Sequence, residues 1–186
     1  MVEGTVMKIK VSALRLRNVY QIYGMLRDLS KDARRHFRAL PTKGLRNSIK
    51  TLISLALMST SLDRCIPLLP YVLYGLVALE EGKKIVGLAY LLVPKSKSKA
   101  HNATLGIVIS EGYRGKGIGT LLTRAIKVYA KALGLSKISL EVDSDNEPAI
   151  KLYLKQGFKI EGVLKCEERV NDRLIDVYRM GLLLQC

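Results

Sequence analysis

The sequence contains no tryptophan, only two phenylalanines and only three cysteines among its 186 residues. The cysteines, Cys65, Cys166 and Cys186, are odd in number and far apart along the chain. Such spacing predicts neither a disulfide framework nor a zinc site. We therefore expect a reducing, cytoplasmic environment and no bound metal.

Long uninterrupted apolar segments are also missing. The most apolar region, residues 49–79, is interrupted by Asp63, Arg64, Pro67 and Pro70, so no run of about twenty uncharged residues remains to cross a membrane. The N-terminus has no positively charged segment leading into an apolar core, which a secretory signal requires. No linker-like composition and no internal repeat divides the chain. These absences predict a soluble protein with a single domain over residues 1–186 and no membrane partner.

Acidic residues are scarce, since 16 Asp and Glu oppose 31 Lys and Arg and leave a formal net charge of +15. Much of the excess lies in residues 8–50. Such an excess favours anionic ligands, whether nucleic acid, acidic lipid or a polyanionic cofactor, although a solvated basic helix face would also explain it. No zinc spacing, RNA-binding aromatic signature or recognition-helix pattern accompanies the charge. Nucleic-acid binding is therefore possible but not favoured.

Apolar periodicity predicts a chain in which strands and helices are interleaved. Alternating apolar residues predict strands, including a closing hairpin, over 6–11, 71–79, 84–93, 103–109, 138–142, 158–164 and 174–184. Helical spacing predicts helices over 17–29, 30–37, 44–59, 118–133 and 147–154. The fold class that follows is α/β (α+β), a mixed sheet with helices on both faces.

A glycine-rich stretch, residues 110–120, lies where the strand over 103–109 turns into the helix over 118–133. It also contains two cations, Arg114 and Lys116. The first N–H groups of a helix lack partners within the helix, the helix dipole is positive there, and glycines let a ligand approach the main chain. The stretch therefore predicts an anion site, with a phosphate-bearing cofactor as the first hypothesis. A turn that only lets strand and helix pack is the alternative.

Two well-known phosphate motifs do not fit this stretch. In a P-loop, Lys and Ser or Thr follow the second glycine, whereas Ile118 and Gly119 follow Gly117 here. In the dinucleotide fingerprint the third glycine comes three residues after the second, and Gly119 arrives one residue early. Neither motif is present, so the residues of the loop alone leave the identity of the anion open.

Two segments together resemble the GNAT superfamily of acetyl-CoA-dependent N-acetyltransferases. Residues 114–119 resemble its pyrophosphate motif, Arg/Gln-x-x-Gly-x-Gly/Ala. The second segment resembles a later signature of the family and consists of Leu140-Glu141-Val142, Asn146, Ala149, Leu152-Tyr153 and Gly157-Phe158. Both occur in the family's order and spacing. The resemblance implies a twisted, mostly antiparallel sheet of about six to seven strands, splayed at the CoA site, with a variable part over 1–70 and an acetyl-CoA-binding core over 71–186.

The resemblance also implies which residues bind acetyl-CoA, the expected co-substrate. Backbone amides of residues 114–120 would hold the pyrophosphate, the strand before them would pair with the pantetheine arm, and Asn146 would hold the pantetheine or acyl region. A plain helix N-cap role for Asn146 stays open. The candidate set is Ile107, Val108, Ile109, Arg114, Gly115, Lys116, Gly117, Ile118, Gly119, Thr120, Asn146 and Tyr153.

Acetylation of an amine requires a neutral nitrogen, a stabilised oxyanion and a protonated leaving group. Glu141 resembles the general base of ribosomal-protein alanine acetyltransferases, and Tyr153 resembles the family's general acid, which would protonate the departing sulfur. Two simpler roles stay open: Glu141 as a surface or ion-paired carboxylate with water as the base, and Tyr153 as an ordinary core residue. The oxyanion would meet a main-chain N–H near Val108 or Ile109.

The acceptor is the least determined part of the expected function. Cys166-Glu167-Glu168-Arg169 stands where N-terminal protein acetyltransferases often have a tyrosine pair, and the segment resembles members that act on polyamines or amino acids. We expect direct attack by a primary amine in a ternary complex, on a small amine or a protein N-terminus, by a monomer or homodimer. The alternative is a binding protein of this fold whose basic N-terminal region engages RNA or a ribosome.

Overall fold

The structure is a computed structural model that describes residues 8–35 and 71–185. The helix predicted over 44–59 lies outside these ranges. So do His36 and the end of the helix predicted over 30–37. The elements, with short 3-10 turns at Leu16–Asn18 and Glu111–Tyr113, are β1 (Ile9–Ala13), α1 (Val19–Arg27), α2 (Lys31–Arg35), β2 (Tyr71–Glu80), β3 (Lys84–Pro94), β4 (Asn102–Ile109), α3 (Ile118–Ala132), β5 (Lys137–Asp143), α4 (Glu147–Lys155), β6 (Lys159–Val170) and β7 (Arg173–Leu183).

The described strands form one seven-stranded sheet in the order β1-β2-β3-β4-β5-β7-β6. All neighbours are antiparallel except β4 and β5. A parallel pair needs a crossover connection, and α3 provides it between β4 and β5. The predicted mixed, mostly antiparallel sheet is confirmed.

Helices cover both faces of the sheet, as predicted. On one face, the apolar stripe of α3 that includes Leu122 and Ile126 packs in a core cluster with Leu105 and Ile138. On the opposite face, Ile22 of α1 packs in a second cluster with residues of β2, β3 and β4. Because side chains alternate between faces along a strand, β2, β3 and β4 contribute residues to both clusters, whereas β5 contributes to the first alone. The part of the sheet from β2 to β4 is therefore covered on two sides.

The closing hairpin is longer than the sequence predicts. The charged segment 165–173 predicts a break between the two last strands, whereas β6 continues to Val170 and β7 begins at Arg173. Asn171 and Asp172 have φ values of 44° and 62°, and this left-handed conformation allows a two-residue hairpin turn. The charges are compatible with strands because this part of the hairpin is largely exposed.

Candidate functional site

β4 and β5 separate after a short paired segment, which opens the sheet at its centre. They pair only at Asn102–Lys137, Ala103–Ile138 and Thr104–Ser139. Further along, β4 pairs with β3 alone. The backbone groups of residues 105–109 that face β5 therefore have no strand partner in the described sheet. An exposed strand edge of this kind can pair with another extended chain.

A cavity of about 480 Å³ occupies this opening. It brings together most of the predicted site residues, namely Ile107, Val108, Ile109, Arg114, Gly115, Gly117, Gly119, Thr120, Glu141, Asn146 and Tyr153. Two predicted residues do not line it. The side chain of Ile118 is buried in the core, and the Lys116 Nζ lies 5.2 Å from the centre of the Tyr113 ring.

Three of the four glycines in residues 110–120 serve two different structural needs. Gly115 and Gly117 have φ values of 71° and 79°, and a Cβ at either would meet no atom within 4 Å, so their role is conformational. A Cβ at Gly119 would lie 3.0 Å from Leu152 Cδ2 and 3.3 Å from Ile109 Cδ1. Gly119 thus allows α3 to pack closely against α4.

The loop presents a row of unpaired backbone donors beside the cavity. Gly117 is the N-cap of α3, and the first helical hydrogen bond runs from the Leu121 N–H to the Gly117 carbonyl. Among the described residues, no atom accepts a hydrogen bond from the backbone N–H groups of residues 115–120. Six neighbouring donors at the positive end of a helix dipole form a binding site for a phosphate-like anion.

Replacing Gly117 with alanine should destabilise the protein by about 1–2 kcal/mol, because an L-residue in the left-handed region is strained by that amount. The same change should weaken CoA binding, since the loop must relax and turn its N–H groups away. Chemical denaturation and calorimetric titration with CoA measure the two effects. The control is Gly112→Ala in the same loop, where a Cβ meets nothing within 4 Å and φ is not positive. Equal behaviour of the two variants would contradict the prediction.

Tyr153 lies on α4 and is 8% exposed. Its ring contacts Phe158 edge-on, with the ring centres 5.6 Å apart, and its side chain lines the cavity. Burial raises the pKa of the phenol to about 12, so the hydroxyl is protonated at neutral pH. Among the described residues, none forms a hydrogen bond with the Tyr153 hydroxyl. A protonated phenol in this position can donate to a ligand.

Glu141 lies on β5, on the face opposite α3, because its neighbours Leu140 and Val142 point into the core beneath that helix. Alternation along β5 thus directs Glu141 away from these apolar residues. Arg179 of β7 donates to Glu141 Oε1 from Nη2 at 2.8 Å and from Nε at 3.2 Å. Glu141 therefore takes part in an ion pair and also lines the cavity.

Asn146 is the N-cap of α4, which is the simpler role that its residue type leaves open in the sequence. Its Oδ1 accepts a hydrogen bond from the Ala149 N–H at 3.4 Å, which is long for this type of bond. Pro148 in the first turn also favours a helix start here. The capping role does not remove Asn146 from the cavity, whose wall it forms.

Helix α2 lies beside the cavity, and contacts at its two ends join it to other loops. Ala33 lines the cavity, and Arg35 Nη1 donates to Asp145 Oδ2 at 2.9 Å. The Ser30 N–H donates to Glu111 Oε1 at 2.8 Å, and hydrogen bonding by the Ser30 side chain and then by its N–H lowers the pKa of Glu111. Sequence reasoning missed these contacts because they join residues about a hundred positions apart, without a local pattern.

Two cations of α4, Lys151 and Lys155, were also absent from the predicted set although they line the cavity. Their spacing of four residues places them on one face of the helix, and this signal was available in the sequence. Together with Arg114 they make the wall near the loop positive. Such a wall attracts a polyanionic ligand.

Other kinds of site find no support within the described ranges. They contain no group of three or more His, Cys, Asp and Glu side chains that could hold a metal ion. His101 is exposed, and its carbonyl accepts from the Ser136 and Lys137 N–H groups. No helix in the described part is long and apolar enough to cross a membrane.

Comparison with known proteins agrees with this geometry. The sequence pattern of the acetyltransferase (GNAT) family matches residues 59–158, more than half of the chain. The L-amino acid N-acetyltransferase AaaT of Escherichia coli K12 is 35% identical over 107 residues, which are 57% of this chain and 65% of that protein. The spermidine N(1)-acetyltransferase of the same strain is 39% identical over 79 residues, 42% of each protein. The chain thus spans less than two thirds of either relative.

The likeness in three dimensions extends over nearly the whole chain. The crystal structure of an acetyltransferase of the GNAT family from Streptococcus pneumoniae superimposes with a TM-score of 0.76 at 26% identity. The superposition covers 95% of this chain and 99% of that one. The arrangement of strands and helices around the cavity is therefore shared with a solved member of the family.

Proposed function

We propose that this chain, which belongs to the acetyltransferase (GNAT) family, transfers the acetyl group of acetyl-CoA to a primary amine by direct attack in a ternary complex. The observation that carries the proposal is the row of unpaired N–H groups over residues 115–120, beside the open edge of β4. One end of the cavity binds a phosphate-like anion and the other carries a carboxylate and a phenol. This combination suits a phosphorylated acyl donor and an amine.

The donor side of the cavity fits the parts of acetyl-CoA in order. The N–H groups of the loop would hold the pyrophosphate, with Arg114, Lys151 and Lys155 adding positive charge. The unpaired edge of β4 would hydrogen-bond to the amides of the pantetheine arm, as a further strand does. Bound acetyl-CoA supplies the thioester, and the chain positions it between the separated strands.

The acceptor side would supply the proton transfers. Glu141 removes one proton from the ammonium group, and the neutral nitrogen forms a C–N bond to the thioester carbonyl carbon. A main-chain N–H near Val108 or Ile109 stabilises the oxyanion. As the C–S bond breaks, Tyr153 gives a proton to the sulfur and the nitrogen releases a second proton, which restores the phenol. The products are an amide, CoA and one proton released to solvent by Glu141.

The acceptor that we propose is a small amine rather than a protein N-terminus. Two relatives are named for such substrates, one for L-amino acids and one for spermidine. Residues 166–169 also lack the tyrosine pair that N-terminal protein acetyltransferases often have at this place, which favours a small amine as the acceptor. The hypothesis that the basic N-terminal region binds RNA or a ribosome gains no support from the described residues of that region.

A thiol-release assay with acetyl-CoA tests the proposal. Candidate acceptors are amino acids, polyamines, aminoglycosides and short peptides with free N-termini, with an amine-free reaction as the blank. We expect amine-dependent release of CoA and an acetylated product with a mass increase of one acetyl group. Absence of amine-dependent release with every acceptor, in a protein that binds CoA, would contradict the proposed function.

A further inference from the structure

Glu141 and Arg179 form a pair of opposite charges with unused hydrogen-bonding capacity. They are cross-strand partners on β5 and β7, and both contacts of the guanidinium, from Nε and Nη2, go to Oε1 of the carboxylate. Among the described residues, Glu141 Oε2 and Arg179 Nη1 have no hydrogen-bond partner. The side chains are 40% and 54% exposed, so a ligand can reach one acceptor and one donor at the same place.

Glu141 lines the cavity, and Arg179 lies directly beside it, outside the cavity wall. Glu141 points to the sheet face that carries α1 and α2, whereas Tyr153 and the loop of unpaired N–H groups belong to the side of α3 and α4. Cross-strand partners point to the same face, so Arg179 accompanies Glu141. A donor held on one side would thus present its thioester to an acceptor held at the pair on the other.

The charges around the cavity do not suit a polyamine. Glu141 is the only carboxylate among the described lining residues. Asp145, close to the cavity, is paired with Arg35 at 2.9 Å. A second ammonium group of a polyamine bound at Glu141 would therefore find no carboxylate on the described wall, and the guanidinium of Arg179 beside Glu141 would repel it.

From this geometry we propose that the acceptor is an α-amino acid. Its carboxylate accepts hydrogen bonds from Arg179, and its ammonium group donates to Glu141 Oε2. An α-amino acid carries an ammonium group and a carboxylate on the same carbon atom, and Glu141 and Arg179 offer the two opposite charges side by side. A planar guanidinium also suits a carboxylate well. The proposal rests on the proposed function, because Glu141 then receives the proton of the bound ammonium group. Arg179 is thereby the residue that selects the acceptor.

The test compares each L-amino acid with its own carboxamide and with spermidine in the thiol-release assay. The carboxamide keeps the α-amine and the side chain but loses the negative charge. For the preferred amino acid, we expect kcat/KM to exceed that of the carboxamide by about 10- to 100-fold, the value of one hydrogen bond between charged groups. Spermidine should be a poorer substrate than the amino acid.

Arg179→Gln should remove this preference. We expect KM for the amino acid to rise by about tenfold or more. The ratio of kcat/KM between the amino acid and its carboxamide should fall toward one, whatever loss the two substrates share through Glu141. Arg179→Lys should restore part of the preference, since it keeps the charge and loses the planar donor pair. Lys131→Gln is the control, with the same change of charge in the exposed last turn of α3. Melting temperatures show whether each variant is folded.

Three results would overturn the inference alone: preference for spermidine, preference for the carboxamides, or an equal loss for amino acid and carboxamide in Arg179→Gln. The last result would mean that Arg179 only positions Glu141. Lack of turnover with every amine would overturn the proposed function and this inference with it. The two failures are thus distinguishable in one set of measurements.

Discussion

Replacing Tyr153 with phenylalanine should lower kcat by about 10²- to 10⁴-fold, the usual contribution of a general acid or base. Burial raises the pKa of the phenol to about 12, so the group keeps its proton at neutral pH and stays able to donate it. As the C–S bond breaks, negative charge develops on the sulfur, and the phenol donates to it while the nitrogen returns a proton to the phenol oxygen. Without the hydroxyl the sulfur must leave as the thiolate or take a proton from water.

The measurement is thiol release at saturating acetyl-CoA, together with the dissociation constant of CoA. The ring remains and keeps its edge-on contact with Phe158, so stability and CoA binding should change little. Tyr129→Phe is the matched control, because that tyrosine on α3 is partly buried against Tyr74 and lies outside the cavity wall. If kcat of Tyr153→Phe stays at the wild-type value, Tyr153 is not the general acid.

Glu141→Gln should lower kcat/KM by about 100-fold at neutral pH. The defect should shrink as the pH rises, because a growing fraction of the acceptor amine is then neutral without help. For the α-amine of a peptide this happens above a pH of about 8, and for a Lys-type amine only above about 10. The α-amine of a free amino acid needs a higher pH than that of a peptide, because its own carboxylate stabilises the ammonium form. The pH dependence of kcat/KM in the wild type and the variant, over the range from about 6.5 to 10, measures the change.

The matched control is Glu161→Gln, which breaks another exposed ion pair of β5, between Lys137 Nζ and Glu161 Oε2 at 2.7 Å. It should leave kcat/KM and its pH dependence unchanged. A defect in Glu141→Gln that stays constant over the whole pH range would show that Glu141 binds the acceptor without acting as its base. If Glu141→Gln keeps the wild-type kcat/KM, deprotonation of the amine through water is favoured.

Local features of the site could be predicted because neighbouring residues determine them. The glycines at 115 and 117 adopt the left-handed conformation in which an L-residue is strained. Asn146 caps α4 because its own side chain reaches an N–H three residues further on. Alternation along β5 places Glu141 and Leu140 on opposite faces. Each of these features depends on fewer than about ten consecutive residues, so periodicity and turn chemistry suffice.

The sequence-based prediction of strands was wrong where a strand depends on the strand with which it pairs. The charges over 165–173 indicated a break in the closing hairpin, yet the strands continue through most of that segment. Residues 168–170 pair with residues 173–175 across the hairpin, residues 165–167 form a bulge without partners in the register, and most of the charged side chains are exposed. Pairing with a neighbouring strand thus outweighs the local propensity of a charged segment.

By itself the sequence determined the anion-binding loop, the helix that begins there and the direction in which Glu141 points. Only the tertiary structure decided that β7 lies between β5 and β6, which brings Arg179 to Glu141 across 38 positions of chain. It also decided that β4 and β5 part after three residue pairs. The reason is physical: strand order and register follow from how the whole sheet is covered and twisted. The contact between Glu141 and Arg179, which we propose selects the acceptor, is therefore assembled over a long range, whereas the loop that we propose holds the donor is encoded locally.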